Sequence, residues 1–175
     1  MSNRNIFYYL ITFVLYVAFQ VIFLKNLSLF GFALCFAYVG YLLTLPVEMP
    51  PIPLLLLGFG MGLVVDIFYD TIGMHAASCT LLAYLRKPVL QLVRPSGGYE
   101  AGQRPNVAEG GLNWFASYCL LMVLVHHLLL FLISASNFNI IWWTLSRALA
   151  STAFTAVVII LVQQFKKLYF YSRRR

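Results

Sequence analysis

Along this chain the apolar residues come in long unbroken runs, separated by short polar or proline-containing breaks, rather than in alternating or amphipathic patterns. A run that is apolar all round has no face to offer water, so each reads as an element buried in lipid or in protein. Six such segments stand out: Ile6 to Leu24, Leu29 to Leu45, Leu54 to Tyr69, Met74 to Leu85, Leu112 to Ser134 and Ile140 to Phe165. A helix needs roughly 20 residues, at 1.5 Å each, to cross a hydrocarbon core of about 30 Å. The fourth segment falls short. It reads either as a short span or as one arm of a hairpin with the third, broken at Asp70-Thr71-Ile72-Gly73. The expected fold is all-α, a polytopic transmembrane bundle of about six helices forming a single integral membrane domain over residues 1–175.

Composition strengthens that reading. The 175 residues are 62% hydrophobic and 10% charged, with a mean hydropathy of +0.85, and so lack the charged shell a water-soluble domain needs. Lysine and arginine number 12, and with the N-terminus inside, ten of them fall on the inner side: Arg4, Arg86, Lys87, Arg94, Arg104, Lys166, Lys167 and Arg173 to Arg175. Lys25 falls outside and Arg147 within the last span. The asymmetry predicts cytoplasmic N- and C-termini. The net charge of +7 is therefore a topology signal and an attraction for anionic headgroups. The cations form no single patch interleaved with stacking aromatics, which argues against nucleic acid as a partner. Tyr8, Tyr9, Trp114, Trp142, Trp143 and Tyr169 sit near span boundaries, as an aromatic belt requires.

The connections carry further expectations. Pro46 to Pro53 holds four prolines, which end one helix and begin the next through a stiff link. Residues 94–111, rich in proline and glycine, read as a flexible cytoplasmic loop, and 166–175 as a basic cytoplasmic tail. The stretch Arg86 to Arg94, with charges flanking apolar residues, suits a helix end lying along the membrane surface. The first run is too long for a signal-peptide core and should persist as a span.

Little in the chain promises chemistry. Cys35, Cys79 and Cys119 lie in apolar runs with no paired spacing, as small core residues do. Gly58 and Gly62 form a G-x-x-x-G step suited to close helix packing, and Ala148, Thr152 and Ala156 a similar stripe. Asp66 is costly within a span unless paired or wetted. Counting along the helices places Asp66 ~12 Å from the outer face, Arg147 ~10 Å, and Gln20 and His126 ~9 Å. Four polar residues on four spans thus share a layer. They suggest a buried cluster centred on an Asp66 to Arg147 pair, serving as structural pinning, as a binding or partner site, or as a proton relay. His126 and His127 point about 100° apart on a helix and cannot share one metal ion with His75 and Asp70 without distortion. No serine or cysteine has a base at a catalytic spacing, so neither an enzyme nor a cofactor is expected.

The run Gly62-Leu63-Val64-Val65-Asp66, followed by Gly73-Met74-His75-Ala76 and Ala83-Tyr84-Leu85-Arg86, resembles the G-L-x-x-D, G-x-H-A and A-Y-L segments of the bacterial rod shape-determining protein MreD family. The motif covers about 25 residues, and the likeness extends to the small, basic, roughly six-span layout. The resemblance implies a bacterial inner-membrane scaffold of the cell-elongation machinery. Such a protein binds the bitopic partner MreC and links MreB filaments to the peptidoglycan polymerase and transpeptidase, with no reaction of its own. Gly62, Asp66, Gly73 and His75 match the pattern and would serve fold and partner binding. The family is thought to share its fold with the substrate-binding components of energy-coupling-factor importers, which gives the alternative reading. Those components usually carry Ala-x-x-x-Ala in the first span, and here that span has no small-x-x-x-small pair.

Overall fold

The computed structural model describes residues 3–135 and 141–172. Ile140, at the expected start of the last span, and Arg173 to Arg175 of the expected tail lie outside the described residues. Helix α1 (Asn3–Phe19) widens into a π-helical turn (Gln20–Leu24). A two-residue hairpin follows, β1 (Ser28–Leu29) against β2 (Ala33–Leu34), and then short α2 (Val39–Leu43). The remaining helices are α3 (Pro51–Tyr69), α4 (Met74–Leu92), α5 (Val107–Gly110), α6 (Leu112–Ser134) and α7 (Ile141–Ser172). Helix α3 packs on α4, α4 on α6, and α6 on α7.

Four helical stretches, Phe7–Leu24, Pro51–Tyr69, Leu112–Ser134 and Ile141–Tyr169, are long and apolar enough to cross a membrane, so the chain is a multi-pass membrane protein. Burial is arranged accordingly. On α3 the outward row Ile52, Leu56, Phe59, Leu63 and Ile67 is exposed, while Gly58, Met61, Gly62, Val65 and Asp66 face inward. A water-soluble helix would reverse that order; in lipid, small and polar residues mark the packed side. Trp142, Leu149, Val157, Leu161 and Phe165 make a similar exposed row on α7.

The second segment corrects the sequence reading. Leu29 to Leu45 is not one helix but a hairpin, an extended stretch and a five-residue helix, yet Cys35 to Leu43 are all buried. The hairpin turn places Phe30 and Gly31 at positive φ, closed by Phe32 N–H donating to Leu29 O. This broken pass still runs the length of the bundle. It begins beside Arg147, at the start of α7, and ends where Val47 N–H donates to Gln103 O. Hydropathy registers burial and cannot distinguish a spanning helix from irregular backbone wrapped in protein.

The fourth segment also differs. Helix α4 continues to Leu92, straight through Pro88, a length of about 28 Å. Arg86, expected near the membrane surface, is 1% exposed and points into the bundle. Within the segment expected to be a flexible loop, Tyr99 Oη donates to Leu90 O and Gly102 N–H to Glu48, and at its flanks Trp114 Nε1 donates to Val93 O. Asn106 caps α5 by accepting from Ala108 and Glu109 N–H, and Val107 is buried. The start of α1, this loop and the last turns of α7 meet at one end through Tyr9 with Arg104 and Tyr16 with Lys166.

Candidate functional site

The broken pass sets the chemistry of the interior, because outside its short hairpin and α2 the backbone lacks helical or sheet partners and lies where water is excluded. Each unpaired N–H or C=O there costs about 1–3 kcal/mol. Side chains from the neighbouring helices supply the partners. On α7, Arg147, Ser151 and Thr155 are spaced four apart and form one stripe. Arg147 Nε donates to Phe32 O (3.1 Å), Ser151 Oγ accepts from Leu34 N–H (2.9 Å) and Thr155 Oγ1 accepts from Phe36 N–H (3.0 Å). The match is metrical. Four helical residues advance about 6 Å and two extended residues about 6.6 Å, so the helix stripe keeps step with alternate peptides of the strand.

Gln20 takes over where that ladder ends. It sits in the π-helical turn of the first helix, fully buried, and its carboxamide acts as a one-residue strand partner. Oε1 accepts from Tyr38 N–H (3.2 Å), while Nε2 donates to Cys35 O (2.9 Å) and Tyr69 Oη (2.7 Å). At the far end Arg86 Nη1 donates to Pro46 O (3.2 Å), Nη2 to the carbonyls of Leu43 and Leu45, and Nε to Tyr118 Oη (3.1 Å). Tyr118 in turn donates to Leu43 O. One guanidinium thus closes the carbonyl end of α2 and the turn after it.

Between these anchors Tyr38 is a hub. Its hydroxyl lies 2.8 Å from His75 Nδ1, 2.8 Å from His126 Nε2 and 3.7 Å from Cys79 Sγ. His126 Nδ1 is buried with no partner. A buried unpaired N–H is rarer than an unpaired acceptor, so the less costly arrangement has His126 Nε2–H donating to Tyr38 and Tyr38 donating to His75. His127 turns the other way. Its Nδ1 lies 2.8 Å from Val123 O and must donate there, which leaves Nε2 to accept from Thr155 Oγ1 at 3.3 Å. Phe36 stands against all three imidazoles, with ring centroids 5.1, 6.3 and 5.5 Å away.

Asp66 and Arg147 do not meet, and the pair expected from their depths gives way to separate roles. The Asp66 carboxylate accepts from Thr71 Oγ1, from His75 N–H (3.0 Å) and from Ala76 N–H (2.9 Å), so it caps the start of α4 from a neighbouring helix. Two glycines make that corner possible. A Cβ on Gly62 would lie 2.3 Å from His75 O and 2.4 Å from Ala76 Cα, and Gly73 takes a left-handed φ of +73° where α4 begins. Gly58 lies one turn further along the same contact, 2.9 Å from Cys79 O by the same measure. The G-x-x-x-G step therefore packs α3 on α4.

Of the four expected layer residues, Gln20 and His126 converge through Tyr38, Asp66 joins them through the His75 backbone, and Arg147 stands apart on Phe32. Sequence reasoning missed Tyr38, Arg86, Ser151 and Thr155. The four-residue spacing of Arg147, Ser151 and Thr155 was a readable signal for a polar stripe. Arg86 had none, because a lone cation after an apolar run ordinarily marks a membrane boundary. No group of three histidine, cysteine, aspartate or glutamate side chains among the described residues is placed to hold a metal ion. Neither a family model, a curated protein nor a solved structure matches the chain.

Proposed function

We propose that this chain is a non-catalytic scaffold of the bacterial cell-elongation machinery, similar to the rod shape-determining MreD family. It would bind an MreC-like single-span partner and link MreB filaments to the peptidoglycan polymerase and transpeptidase. The observation that carries the reading is that the resembling residues act as one unit. Gly62, Asp66, Gly73 and His75 lie apart in sequence but build a single α3–α4 corner, in which Asp66 caps the helix that Gly62 touches.

Two further features favour a scaffold. Tyr38, His75 and His126 are hydrogen-bonded to one another, Gln20, Asp66 and Arg86 bond to backbone, and Phe36 packs on the three imidazoles, so these interior groups are engaged in holding the fold. The loop, which carries Arg94 and Arg104, and the end of α7 share one end of the bundle, in keeping with an inner-membrane protein whose termini both face the cytoplasm. Affinity purification from the native host in mild detergent tests the proposal. Co-purification of a single-span protein with an extracytoplasmic domain is expected; recovery of a vitamin-like small molecule together with a nucleotide-hydrolysing subunit would replace this reading with the importer one.

A further inference from the structure

The broken second pass has a consequence at the loop end. Along its helical part α2 is wedged between α1 and α7: a Cβ on Gly40 would lie 3.2 Å from Tyr16 and 3.4 Å from Ile159. After Leu43 the chain turns toward Arg86 and no longer separates the two long helices. There a pocket of about 590 Å³ opens, floored by Thr44 and Leu45 and walled by α1, α7 and the loop. A straight helical span would have filled it.

Three cations line this pocket from two separate segments: Arg104 from the loop, and Lys166 and Lys167 from α7. Among the described residues none of them has a carboxylate within ion-pair distance. Two of them, Arg104 and Lys166, are held by aromatic rings instead. The Arg104 guanidinium lies 4.9 Å from the Tyr8 ring centroid and 5.4 Å from that of Tyr9, and its Nη2 donates to Tyr9 Oη at 3.3 Å. Lys166 Nζ lies 5.1 Å over the Tyr16 ring and donates to its hydroxyl at 3.4 Å. One acidic side chain, Glu109, also lines the pocket, but its two oxygens accept from Arg104 N–H and Asn106 Nδ2 in the cap of α5. Net positive charge, fixed in position, is left for a counter-ion from outside the chain.

We propose that this pocket binds the headgroup of an anionic phospholipid. The phosphodiester would sit among Arg104, Lys166 and Lys167, and its glycerol end against the tyrosine hydroxyls. A lipid is favoured over free phosphate because the helices forming the walls carry exposed apolar side chains at this level, Phe7, Leu10 and Ile11 on α1 and Phe165 and Leu168 on α7. Acyl chains lying along those faces keep the headgroup at the pocket mouth. The inference does not depend on which partners the scaffold binds.

Native mass spectrometry of the detergent-purified chain, titrated with phosphatidylglycerol or phosphatidylcholine, tests it. Phosphatidylglycerol should be retained preferentially. Each cation is worth about fivefold in that preference, so the triple change Arg104→Gln, Lys166→Gln, Lys167→Gln should lower it roughly a hundredfold. Lys25→Gln, which removes one charge at the opposite end and so matches Lys167→Gln alone, should change it less than twofold. Should the triple variant not fold, Lys167→Gln alone removes an exposed side chain and should still give a drop of about fivefold. Loss of preference in Lys25→Gln equal to that in the pocket variants would overturn the site. Full displacement of the lipid by millimolar inorganic phosphate would overturn the lipid as its ligand.

Discussion

At the scale of single residues the interior is built from groups whose partners are backbone atoms, and this decides how substitutions should act. Asp66 gives the sharpest contrast with charge-pair logic. If it answered Arg147, exchanging the two charges would restore what either change removes. Because it accepts two α4 N–H groups and the Thr71 hydroxyl, Asp66→Ala should cost about 3 kcal/mol, the scale of hydrogen bonds to a charged group that are lost without replacement. The double exchange Asp66→Arg with Arg147→Asp should be no more stable than the worse single variant. Thermal denaturation in detergent, followed by size-exclusion chromatography, reads both, and rescue by the exchange would restore the ion pair. Glycine offers a second contrast within one helix. Gly62→Ala drives a methyl into the backbone of His75 and Ala76, which cannot yield, and overpacking of this kind costs about 1–3 kcal/mol or more. Gly60→Ala meets nothing within 4 Å and should be neutral or slightly stabilising.

At the scale of elements, the pairing of a helix stripe with an extended strand explains what was legible in the sequence and what was not. The three long spans α3, α6 and α7 and the first helix were readable because an apolar run of that length in a chain with so few charges has one stable solution in lipid. The break in the second pass was not readable from its own residues. Its apolar run is as long as that of α3, and what allows it to unwind lies about 115 residues away in the α7 stripe and 15 residues back in Gln20. Depth counting placed Gln20, Asp66, His126 and Arg147 in one layer for a sound reason, since each is buried or half-buried polar. It assigned the wrong partners because it paired charges and could not see an open backbone. The element-level test follows. Ser151→Ala with Thr155→Val leaves Leu34 and Phe36 N–H unpaired, which should destabilise the pass by about 2–6 kcal/mol. Cys35, 1% exposed in the wild type and adjacent to both sites, should then react with maleimide many times faster. Thr152→Val, which removes a hydroxyl bonded only to Ala148 O of its own helix, should leave Cys35 protected. Equal reactivity in the two variants would mean that the stripe does not hold the strand.

At the scale of the whole molecule, the passes alternate between two chemically distinct ends, and the order of contacts fixes which segments share an end. Tyr9, Val47, Leu90, Val93 and Lys166 meet the loop or its neighbours at one end. Lys25 lies over the Tyr69 ring, Arg147 over Phe131, and Phe32 against Trp143 at the other. An even number of passes requires the broken segment to count as a full crossing even though no helix spans it. That requirement can be measured directly. Single cysteines placed at Asn26, Gly31, Gly102 and Lys167, in a background with Cys35, Cys79 and Cys119 replaced by alanine, are labelled in intact cells with a membrane-impermeant maleimide. Asn26 and Gly31 should be labelled from outside, and Gly102 and Lys167 only after permeabilisation. If the broken segment instead entered and left by the same face, Asn26 and Gly102 would label together, and the loop and the end of α7 would both fall on the outer side, opposite the start of α1. The contact of Arg104 with Tyr9 could not then form, because Tyr9 stands near the inner end of α1, across the membrane from the loop.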